Sequence, residues 1–341
     1  MRPRLLYHEP RSDHCRWRDV GPDRRTHLQL SQRLATSDVT RSSTTPIRTS
    51  DTEPADAPPA DQVVGPLSAV PLRPGQGRLR VTRIGQRSHV TSNRATNPLK
   101  LWVPRRPGPA SWIYATTFGG GLVAGDNVQL DLDLENDTTA VLTTQASTKV
   151  FRSLKDRGCG QQLQAHVGPG ATLVIAPDPL VCFRGAIYQQ HNRVHLADDA
   201  TLVHIDWLTS GRMARGECWH FGRLRTRLEV IRSDRMLLLD SLDLVPRQSK
   251  LDNPLRMGHH HCLATVVLFG ETLAKAIESI RESVTSDQPR EDSCLEAVSP
   301  REEGLVWRLV GPNSETVGRR LKQRLAFLTD HLQETPWERK W

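Results

Sequence analysis

The chain between residues 128 and 242 is built from short segments in which apolar and polar residues alternate. Four units follow one another, each with an alternating segment, a break rich in Asp, Asn, Gly or Ser, and a second apolar segment. This pattern is typical of two β-strands joined by a tight turn. The units begin at Val128, Gln162, Arg193 and Leu224, so the period is about thirty residues. Strand pairs that recur in this way predict stacked β layers that share one continuous core.

Two segments in the C-terminal half have the spacing of amphipathic helices instead. Asn313 or Ser314 is a suitable N-cap for the second one. The polar stretch 286–303 lies between them and is interpreted as a loop. The apolar positions are Leu273, Ile277, Ile280 and Val284 in the first segment and Val317, Leu321, Leu325, Leu328 and Leu332 in the second. The predicted fold class is therefore mostly β, with stacked, β-helix-like strand repeats and two α-helices in the C-terminal half.

Residues 1–75 differ in composition from the remainder of the chain. They contain eleven Arg and no Lys, together with many Ser, Thr and Pro, and they show almost no periodic apolar pattern. Such a segment cannot bury enough apolar surface to offset the entropy of ordering. We interpret it as a disordered extension, followed by a β domain over residues 76–341. A transit peptide is the alternative, but the early acidic residues Glu9, Asp13, Asp19 and Asp23 disfavour it.

The composition narrows the class of protein. The hydrophobic fraction is 37% and the mean hydropathy is −0.48, and no apolar run reaches the roughly 18 residues needed to span a membrane. The N-terminus lacks the apolar core of a secretory signal. Six cysteines without a CxxC pair indicate free thiols in a non-secreted chain. We therefore expect a cytoplasmic protein with no membrane partner.

The formal net charge of +8 is compatible with binding to a nucleic acid, an anionic membrane or an acidic protein. A solvated surface with a basic tail accounts for the same charge, and we favour that interpretation. No RNP-like, zinc-finger or helix-turn-helix pattern accompanies the basic residues, so we do not expect a nucleic-acid partner.

A glycine-rich segment at 119–126 resembles a phosphate-binding loop and departs from it at one position. Gly120 and Gly125 fit the GxxxxG frame, but the next residue is Asp126 where a phosphate-binding loop has Lys. A carboxylate at this position would repel a phosphate group and attract a cation. The segment therefore favours the handling of a positive ion over nucleotide chemistry.

Two further acidic residues interrupt apolar strands. Asp206 follows an apolar run that begins at Leu202, and Asp240 follows Leu237, Leu238 and Leu239. A buried carboxylate is costly unless it is paired, protonated, hydrated or bound to a metal ion. Each acid could point to solvent on the polar face of a half-buried strand. Alternatively, Asp126, Asp206 and Asp240 could line an internal wet passage whose oxygen ligands hold a divalent ion loosely.

The histidine triplet that precedes Cys262 suggests a metal site. Because neighbouring strand residues point to opposite faces, at most His259 and His261 could share one ion. Such nitrogen ligands suit Ni or Zn. We favour the alternative, in which the triplet is the polar start of the buried strand 263–269.

The turn-rich loop 211–217 lies between two predicted strands. Arg212 and Glu217 could form an internal ion pair or present a surface to a partner. The glycines Gly211 and Gly216 suit turn positions. We favour a purely structural role for this loop.

No sequence signature of catalysis is visible. The chain has no GxSxG elbow, no HExxH motif and no cysteine in a known catalytic context. We therefore expect a protein without enzymatic activity.

Taken together, several segments resemble the urease accessory protein UreD family, called UreH in some organisms. The spacing between the glycine segment and the Thr-Lys-Val-Phe-Arg-Ser motif, with later blocks in the same order, makes the resemblance specific over residues 76–341. The matching segments are 120–126, 143–153, 177–186, 211–217, 227–230 and 237–240.

The resemblance implies a non-enzymatic chaperone of urease maturation, with stacked β-strands and a few helices. It implies binding to apo-urease, and a link through UreF to the GTPase UreG, with a dimer possible within the accessory complex. Nickel would be transient cargo that travels through an interior channel, and no cofactor would be tightly bound. By position, Asp126, Asp206 and Asp240 match acidic residues of that channel. The positions that match the family motifs without an assigned chemical role are Gly120, Gly121, Gly125, Thr144, Thr148, Lys149, Arg152, Gly211, Arg212 and Glu217.

Two features depart from the family pattern, namely the extension 1–75 and the histidine triplet. Two other functions also remain open from the residues alone. A basic β-repeat module could bind nucleic acid, with an affinity that falls steeply as salt rises. A hydrolase with a carboxylate-bound metal would need a clustered ligand set, which the sequence does not show.

Overall fold

The structure is a computed structural model that describes residues 71–248, 250–286 and 294–337. The predicted extension falls almost entirely outside these residues. Within them, no helix is both long enough and apolar enough to cross a membrane.

Seventeen strands and three α-helices make up the described part of the chain. The strands are β1 Gln76–Ile84, β2 Arg87–Ala95, β3 Leu99–Trp102, β4 Ser111–Thr117, β5 Asn127–Leu134, β6 Thr139–Thr144, β7 Lys149–Val150, β8 Cys159–Val167, β9 Thr172–Ile175, β10 Leu180–Cys182, β11 Ile187–Leu196, β12 Thr201–Thr209, β13 Arg223–Arg232, β14 Arg235–Leu244, β15 Cys262–Phe269, β16 Leu295–Arg301 and β17 Gly304–Gly311. The helices are α1 Ala274–Ser286, α2 Ser314–Arg324 and α3 Phe327–Leu332. The fold class is mostly β, as the sequence predicts.

The strands form two sheets that face each other. The first sheet has the order β14-β13-β11-β8-β5-β1-β2. The second sheet has the order β16-β17-β15-β12-β9-β6-β4-β3, and β7 and β10 extend it beside β12. The centre of each sheet is parallel, since β5, β8, β11 and β13 pair in parallel in the first sheet and β6, β9 and β12 in the second.

The predicted repeats are confirmed as coils of a β-solenoid. In the first three units, one strand lies in the first sheet and the next lies in the second. The links 135–138, 168–171 and 197–200 carry the chain across the core from one sheet to the other, a step of about 10 Å. The strand pairs are therefore stacked one coil upon the next, and they share a single interior.

The fourth unit differs from the first three. Strands β13 and β14 are antiparallel neighbours in the first sheet. Ser233 and Asp234 form the two-residue turn, with φ angles of 46° and 61°. Positive φ at both central residues defines the hairpin turn whose twist returns the chain beside itself. The solenoid therefore ends at this hairpin.

The interior between the sheets is apolar near the three links. There, Leu132 and Val230 of the first sheet pack against Leu173 and Phe269 of the second. The opposite face of the second sheet is covered by the helices, where Trp307 packs with Val317 and other residues of α2. A third cluster, which includes Tyr188, Trp219 and Phe221, lies at the far end of the solenoid under the loops.

The C-terminal half contains one strand that the sequence analysis interpreted as loop. Residues 295–301 form β16, which pairs antiparallel with β17 at the edge of the second sheet. An edge strand tolerates Pro300, because one side of the strand makes no ladder hydrogen bonds. The prediction was wrong here because the polar and proline-containing sequence hides a strand that is only half buried.

The helical segments occur where they are predicted, with one refinement. Asn313 is the N-cap of α2, and its side chain accepts a hydrogen bond of 2.8 Å from the backbone N–H of Thr316. The second predicted segment contains two helices, because α2 ends at Arg324 and α3 begins at Phe327. Leu325, Leu328 and Leu332 remain buried on the same side, so the apolar spacing holds across the break.

Candidate functional site

The interior of the solenoid changes from apolar to polar toward the end that lies away from the three links. In β11 the inward side chains alternate with the outward ones, and they run from Tyr188, Gln190 and Asn192 to the apolar Val194 and Leu196. The parallel register places Gln161 of β8 beside Gln190, and Gln190 beside Thr226 of β13. Successive coils therefore stack polar side chains into one row inside the protein.

Hydrogen bonds join these side chains across the two sheets. The Tyr188 hydroxyl lies 2.7 Å from Gln161 Oε1 and 2.9 Å from Gln190 Oε1. Gln190 Nε2 donates a bond of 3.0 Å to Asp206 Oδ2 on β12. The polar row of the first sheet is thus linked to an acid of the second sheet.

Asn192 and His204 form a second link between the sheets. Asn192 Nδ2 lies 3.0 Å from His204 Nε2, and His204 Nδ1 is buried without a hydrogen-bond partner. Burial lowers the pKa of His204 to about 4, so the imidazole is neutral near pH 7. A neutral imidazole can offer a nitrogen lone pair to a metal ion.

Asp206 and Asp240 line the same small cavity, which we call the interior cavity. Its volume is about 20 Å³, enough for one water-sized occupant. Burial raises the pKa of Asp206 to about 6; the Gln190 hydrogen bond opposes this shift and the nearby Asp240 adds to it. The residues around the cavity are His204, Asp206, Leu208, Thr226, Leu228, Asp240, Leu242, Leu263 and Thr265.

Asp240 closes the interior cavity on the solvent side. It pairs with Arg308 of β17, so the ion pair bridges the two sheets at their open edge. Asp240 is 22% exposed and Arg308 is 44% exposed. The two predicted acids therefore lie together at one end of the polar row, and only Arg308 is largely in contact with water.

Asp126 lies elsewhere, so the structure does not place the three predicted acids in one cavity. Its Oδ2 accepts a hydrogen bond of 2.9 Å from the backbone N–H of Val123, within a turn. It borders an outer groove of about 500 Å³ that is also lined by Gln161 and Tyr188. Burial and, secondarily, the charge of Asp126 raise the pKa of the neighbouring Cys159 to about 12. The Tyr188, Gln161 and Gln190 side chains lie between the outer groove at Asp126 and the interior cavity.

The glycine segment packs directly against the Thr-Lys-Val-Phe-Arg-Ser motif. Leu122 donates a backbone hydrogen bond of 2.8 Å to Lys149 and accepts one of 2.9 Å from Phe151. A Cβ atom on Gly121 would lie 2.6 Å from the Lys149 carbonyl oxygen. Gly120, in contrast, has a φ of 73° and open space around its Cα atom. The two glycines are therefore required for different reasons, close approach at Gly121 and backbone conformation at Gly120.

We expect Gly121→Asn to lower the free energy of unfolding by about 2–3 kcal/mol, because its side chain must displace the strand that carries Lys149. Gly120→Asn is the matched control, since Asn tolerates the left-handed backbone conformation and meets no neighbour. Urea denaturation of both variants measures the difference. Equal losses at the two positions would contradict the close approach at Gly121.

Thr144 and Thr148, in the block 143–153, form hydrogen bonds with the block 177–186. Thr144 Oγ1 accepts a hydrogen bond of 2.8 Å from the backbone N–H of Asp178. The Thr148 carbonyl accepts one of 2.9 Å from Val181. The motif blocks 120–126, 143–153 and 177–186 thus meet at the same end of the solenoid, which is the polar end.

Arg212 and Glu217 form the internal ion pair that the sequence analysis considered. Arg212 Nε lies 2.9 Å from Glu217 Oε2, and a second contact joins Nη2 to Oε1. Glu217 is buried, also accepts the backbone N–H of Arg184 at 3.3 Å, and has its pKa lowered chiefly by the Arg212 hydrogen bond. The Arg212 guanidinium stands 4.1 Å above the Phe183 ring. The pair therefore fastens the loop 211–217 to the turn at 183–185.

The histidine triplet lies in the turn before β15, which begins at Cys262. His259 is exposed, and its ring centroid is 4.2 Å from that of the buried His260. His261 Nδ1 is buried without a partner. Among the described residues, no group of three or more His, Cys, Asp or Glu side chains could hold a metal ion. A shared ion between His259 and His261 stays a prediction.

Sequence reasoning missed the polar side chains inside the solenoid. Gln161, Tyr188, Gln190, Asn192 and His204 all face the interior, although polar residues in alternating strands usually face water. The signal that could have revealed them is parity, because counting back by two from the apolar Val194 reaches Asn192, Gln190 and Tyr188 in turn. Residues that lie side by side on neighbouring strands are far apart in sequence, so a local sequence pattern does not reveal which of them meet.

Comparison with known proteins shows which protein family this chain resembles. A family model described as "UreD urease accessory protein" matches residues 73–341. A urease accessory protein UreD from Sorangium cellulosum is 41% identical over 85% of this chain and 92% of its own length. Urease accessory protein D from Arabidopsis thaliana is 33% identical over 76% of this chain and 99% of its own length. These relatives are urease accessory proteins. The chain belongs to the UreD family.

Proposed function

We propose that this chain is a scaffold in urease maturation that binds apo-urease together with the accessory proteins UreF and UreG, and that conducts nickel toward the urease active site. The observation that carries the nickel step is the chain of polar side chains from Tyr188 through Gln190 to Asp206 inside an otherwise apolar solenoid. Nickel is cargo in this proposal, and the protein itself performs no turnover.

The interior cavity has the donor types that a passing divalent ion needs. The Asp206 and Asp240 carboxylates supply oxygen ligands, and the neutral His204 becomes a nitrogen ligand once an ion displaces the Asn192 amide from its Nε2. Imidazole suits nickel, whereas oxygen donors bind divalent ions of this type less selectively. Few ligands in one small cavity favour transient contact over storage, as transport requires.

The outer groove gives this polar row a route to the surface. Gln161 and Tyr188 line both the groove that contains Asp126 and the start of the hydrogen-bonded chain. At the other end, Asp240 and Arg308 form the last layer before solvent. An ion that exchanges one set of oxygen ligands for the next could cross between the sheets without entering the apolar core.

The alternative function, a basic nucleic-acid-binding module, gains no support from the surface of the first sheet. Several of its arginines are already engaged by acids of the same sheet. Arg193 and Arg227 both contact Glu229, and Arg223 and Arg225 both contact Asp243. A surface for nucleic acid needs cations that remain available for phosphates.

Co-purification tests the proposed assembly. We expect the tagged full chain to retain UreF, UreG and the urease subunits when all are co-expressed, because a scaffold must contact each of them directly or through a partner. Mass spectrometry of the eluted complex identifies the retained chains, and an unrelated tagged β-protein is the control. A tagged chain that retains none of them, with each shown to be folded, would overturn the proposal.

A further inference from the structure

A second groove, distinct from the outer groove at Asp126, opens at the polar end of the solenoid. Its volume is about 970 Å³, and four segments around residues 152, 184, 220 and 250 contribute to it. The buried side chains of Trp219, Phe221 and Leu251 form an apolar floor. We call it the basic groove. Its cationic side chains are Arg152, Arg184, Arg223, Arg247 and Lys250, and its acidic ones are Asp156 and Asp252.

Four cations of the basic groove carry charge that no side-chain partner neutralises. Within the residues that the structure describes, Arg152, Arg247 and Lys250 form no salt bridge and no side-chain hydrogen bond, and all three are exposed. Arg184 is also exposed, and its charge helps to lower the pKa of Glu217. Only Arg223 is committed elsewhere, to Asp243. This contrasts with Arg193, Arg225 and Arg227 of the first sheet, each of which contacts an acid.

Trp219 lies at the floor of the basic groove. Its side chain is 2% exposed, and its indole N–H is buried with no acceptor. The residue also has a φ of 55°, a conformation that costs energy for any residue except glycine. The indole therefore contributes its apolar ring to the floor, and its buried N–H does not reach the groove.

We propose that the basic groove binds an acidic peptide segment of a protein partner. Carboxylates would meet the four available cations, and apolar side chains would cover the floor. Nucleic acid fits less well, because binding to single strands relies on exposed aromatic platforms, whereas Trp219 and Phe221 are both buried.

The test uses the full chain and a fluorescein-labelled Glu-Leu-Glu-Glu-Leu-Glu peptide, with binding measured by fluorescence anisotropy. We expect Arg152→Glu combined with Arg247→Glu to weaken binding by at least about tenfold, because like charges replace attractive ones. Arg184 is left in place because it supports Glu217. The matched control, Arg94→Glu with Lys322→Glu, makes the same change in net charge at exposed positions outside the basic groove. The Arg-rich residues 1–70 are common to all variants, so only the difference between them reports on the groove.

A further measurement locates the peptide. Cys218 lies in the basic groove, and bound peptide is expected to slow its alkylation by iodoacetamide, as followed by mass spectrometry of the wild type. Unchanged alkylation, or equal weakening in the matched control, would overturn the proposal. Displacement of the peptide by a single-stranded oligonucleotide at lower concentration than by unlabelled peptide would also overturn it.

The proposal for the basic groove and the proposal for nickel transfer through the interior cavity can be tested independently. Asp206→Asn with Asp240→Asn alters the interior cavity and none of the residues that line the basic groove. That variant is expected to bind the acidic peptide with the affinity of the wild type. Peptide binding that is lost in this variant but retained by Arg152→Glu with Arg247→Glu would contradict the assignment of the peptide site.

Discussion

The Asp206→Asn/Asp240→Asn double variant is expected to lose nickel-dependent urease activation by about 10- to 100-fold, the range found when groups that tune a metal site are removed. Both carboxylates line the interior cavity, and the amides keep their size while removing the charge that attracts a divalent ion. Activation is measured as urease activity after incubation of apo-urease with UreF, UreG, nickel, GTP and the variant.

Asp126→Asn is the matched control for this prediction. Asn can still accept the backbone N–H of Val123 that Asp126 accepts, and Asp126 does not line the interior cavity. Activation close to that of the wild type is therefore expected. A larger loss in Asp126→Asn than in the double variant would place the critical acid in the outer groove and refute the assignment to the interior cavity.

The single variant Asp206→Asn separates loss of charge from loss of folding. Burial raises the pKa of Asp206 from 3.8 to about 6, so between these pH values the folded state binds more protons than the unfolded state. Stability therefore falls as the pH rises through this window, and the ionised Asp206 destabilises the fold above it. Asp206→Asn is expected to gain about 1–3 kcal/mol at pH 8. A lower melting temperature than that of the wild type at pH 8 would contradict this reasoning.

Glu217→Ala is expected to lower the free energy of unfolding by about 1–3 kcal/mol, because two groups that donate hydrogen bonds to this buried carboxylate lose their acceptor. Arg212 would lose its carboxylate, and the Arg184 N–H would lose its acceptor. Urea denaturation at pH 7 measures the loss. The lowered pKa of Glu217 means that this stabilisation is present above its ordinary pKa of 4.5 and disappears as the pH falls below it.

Glu302→Ala provides the matched control for the loss of an ion pair. Glu302 pairs with Arg235 at 3.0 Å, but both side chains are more than half exposed. Exposed pairs contribute about 0–1 kcal/mol, so the control is expected to lose little. Equal losses in the two variants would show that burial of Glu217 has no bearing on its contribution.

The alternating pattern was enough to predict the strands of the coils and their stacking, because one face of each strand is buried and the side-chain period is two. The same pattern did not predict the polar side chains of the candidate site. Gln190 and Asn192 have the inward parity of β11, but their partners Gln161 and His204 are set by long-range pairing. The chemistry of Asp126, Asp206 and Asp240 and their positions in the family resemblance predict one shared passage, whereas the folded chain places Asp126 outside the interior cavity.

The strand β16 shows a different limit of the sequence. Its burial pattern has no fully buried position, so no apolar periodicity marks it, and its existence depends on the neighbouring β17. The ion pair of Arg212 with Glu217 was foreseeable because both residues lie in one loop. The partnership of Asp240 with Arg308 was not, because those residues are 68 positions apart.

The row of Gln161, Gln190 and Thr226 gains one polar side chain with each parallel strand of the first sheet. Strands in a sheet are about 4.8 Å apart, so the length of the row changes only in steps of one coil. Duplication of a single coil would add one polar side chain to this row and would keep the apolar side chains of the coils in register. The added coil would have to precede β13, because β14 runs antiparallel to β13 and ends the parallel stack. The length of the polar row is thus set by the number of coils, and it changes only by whole coils.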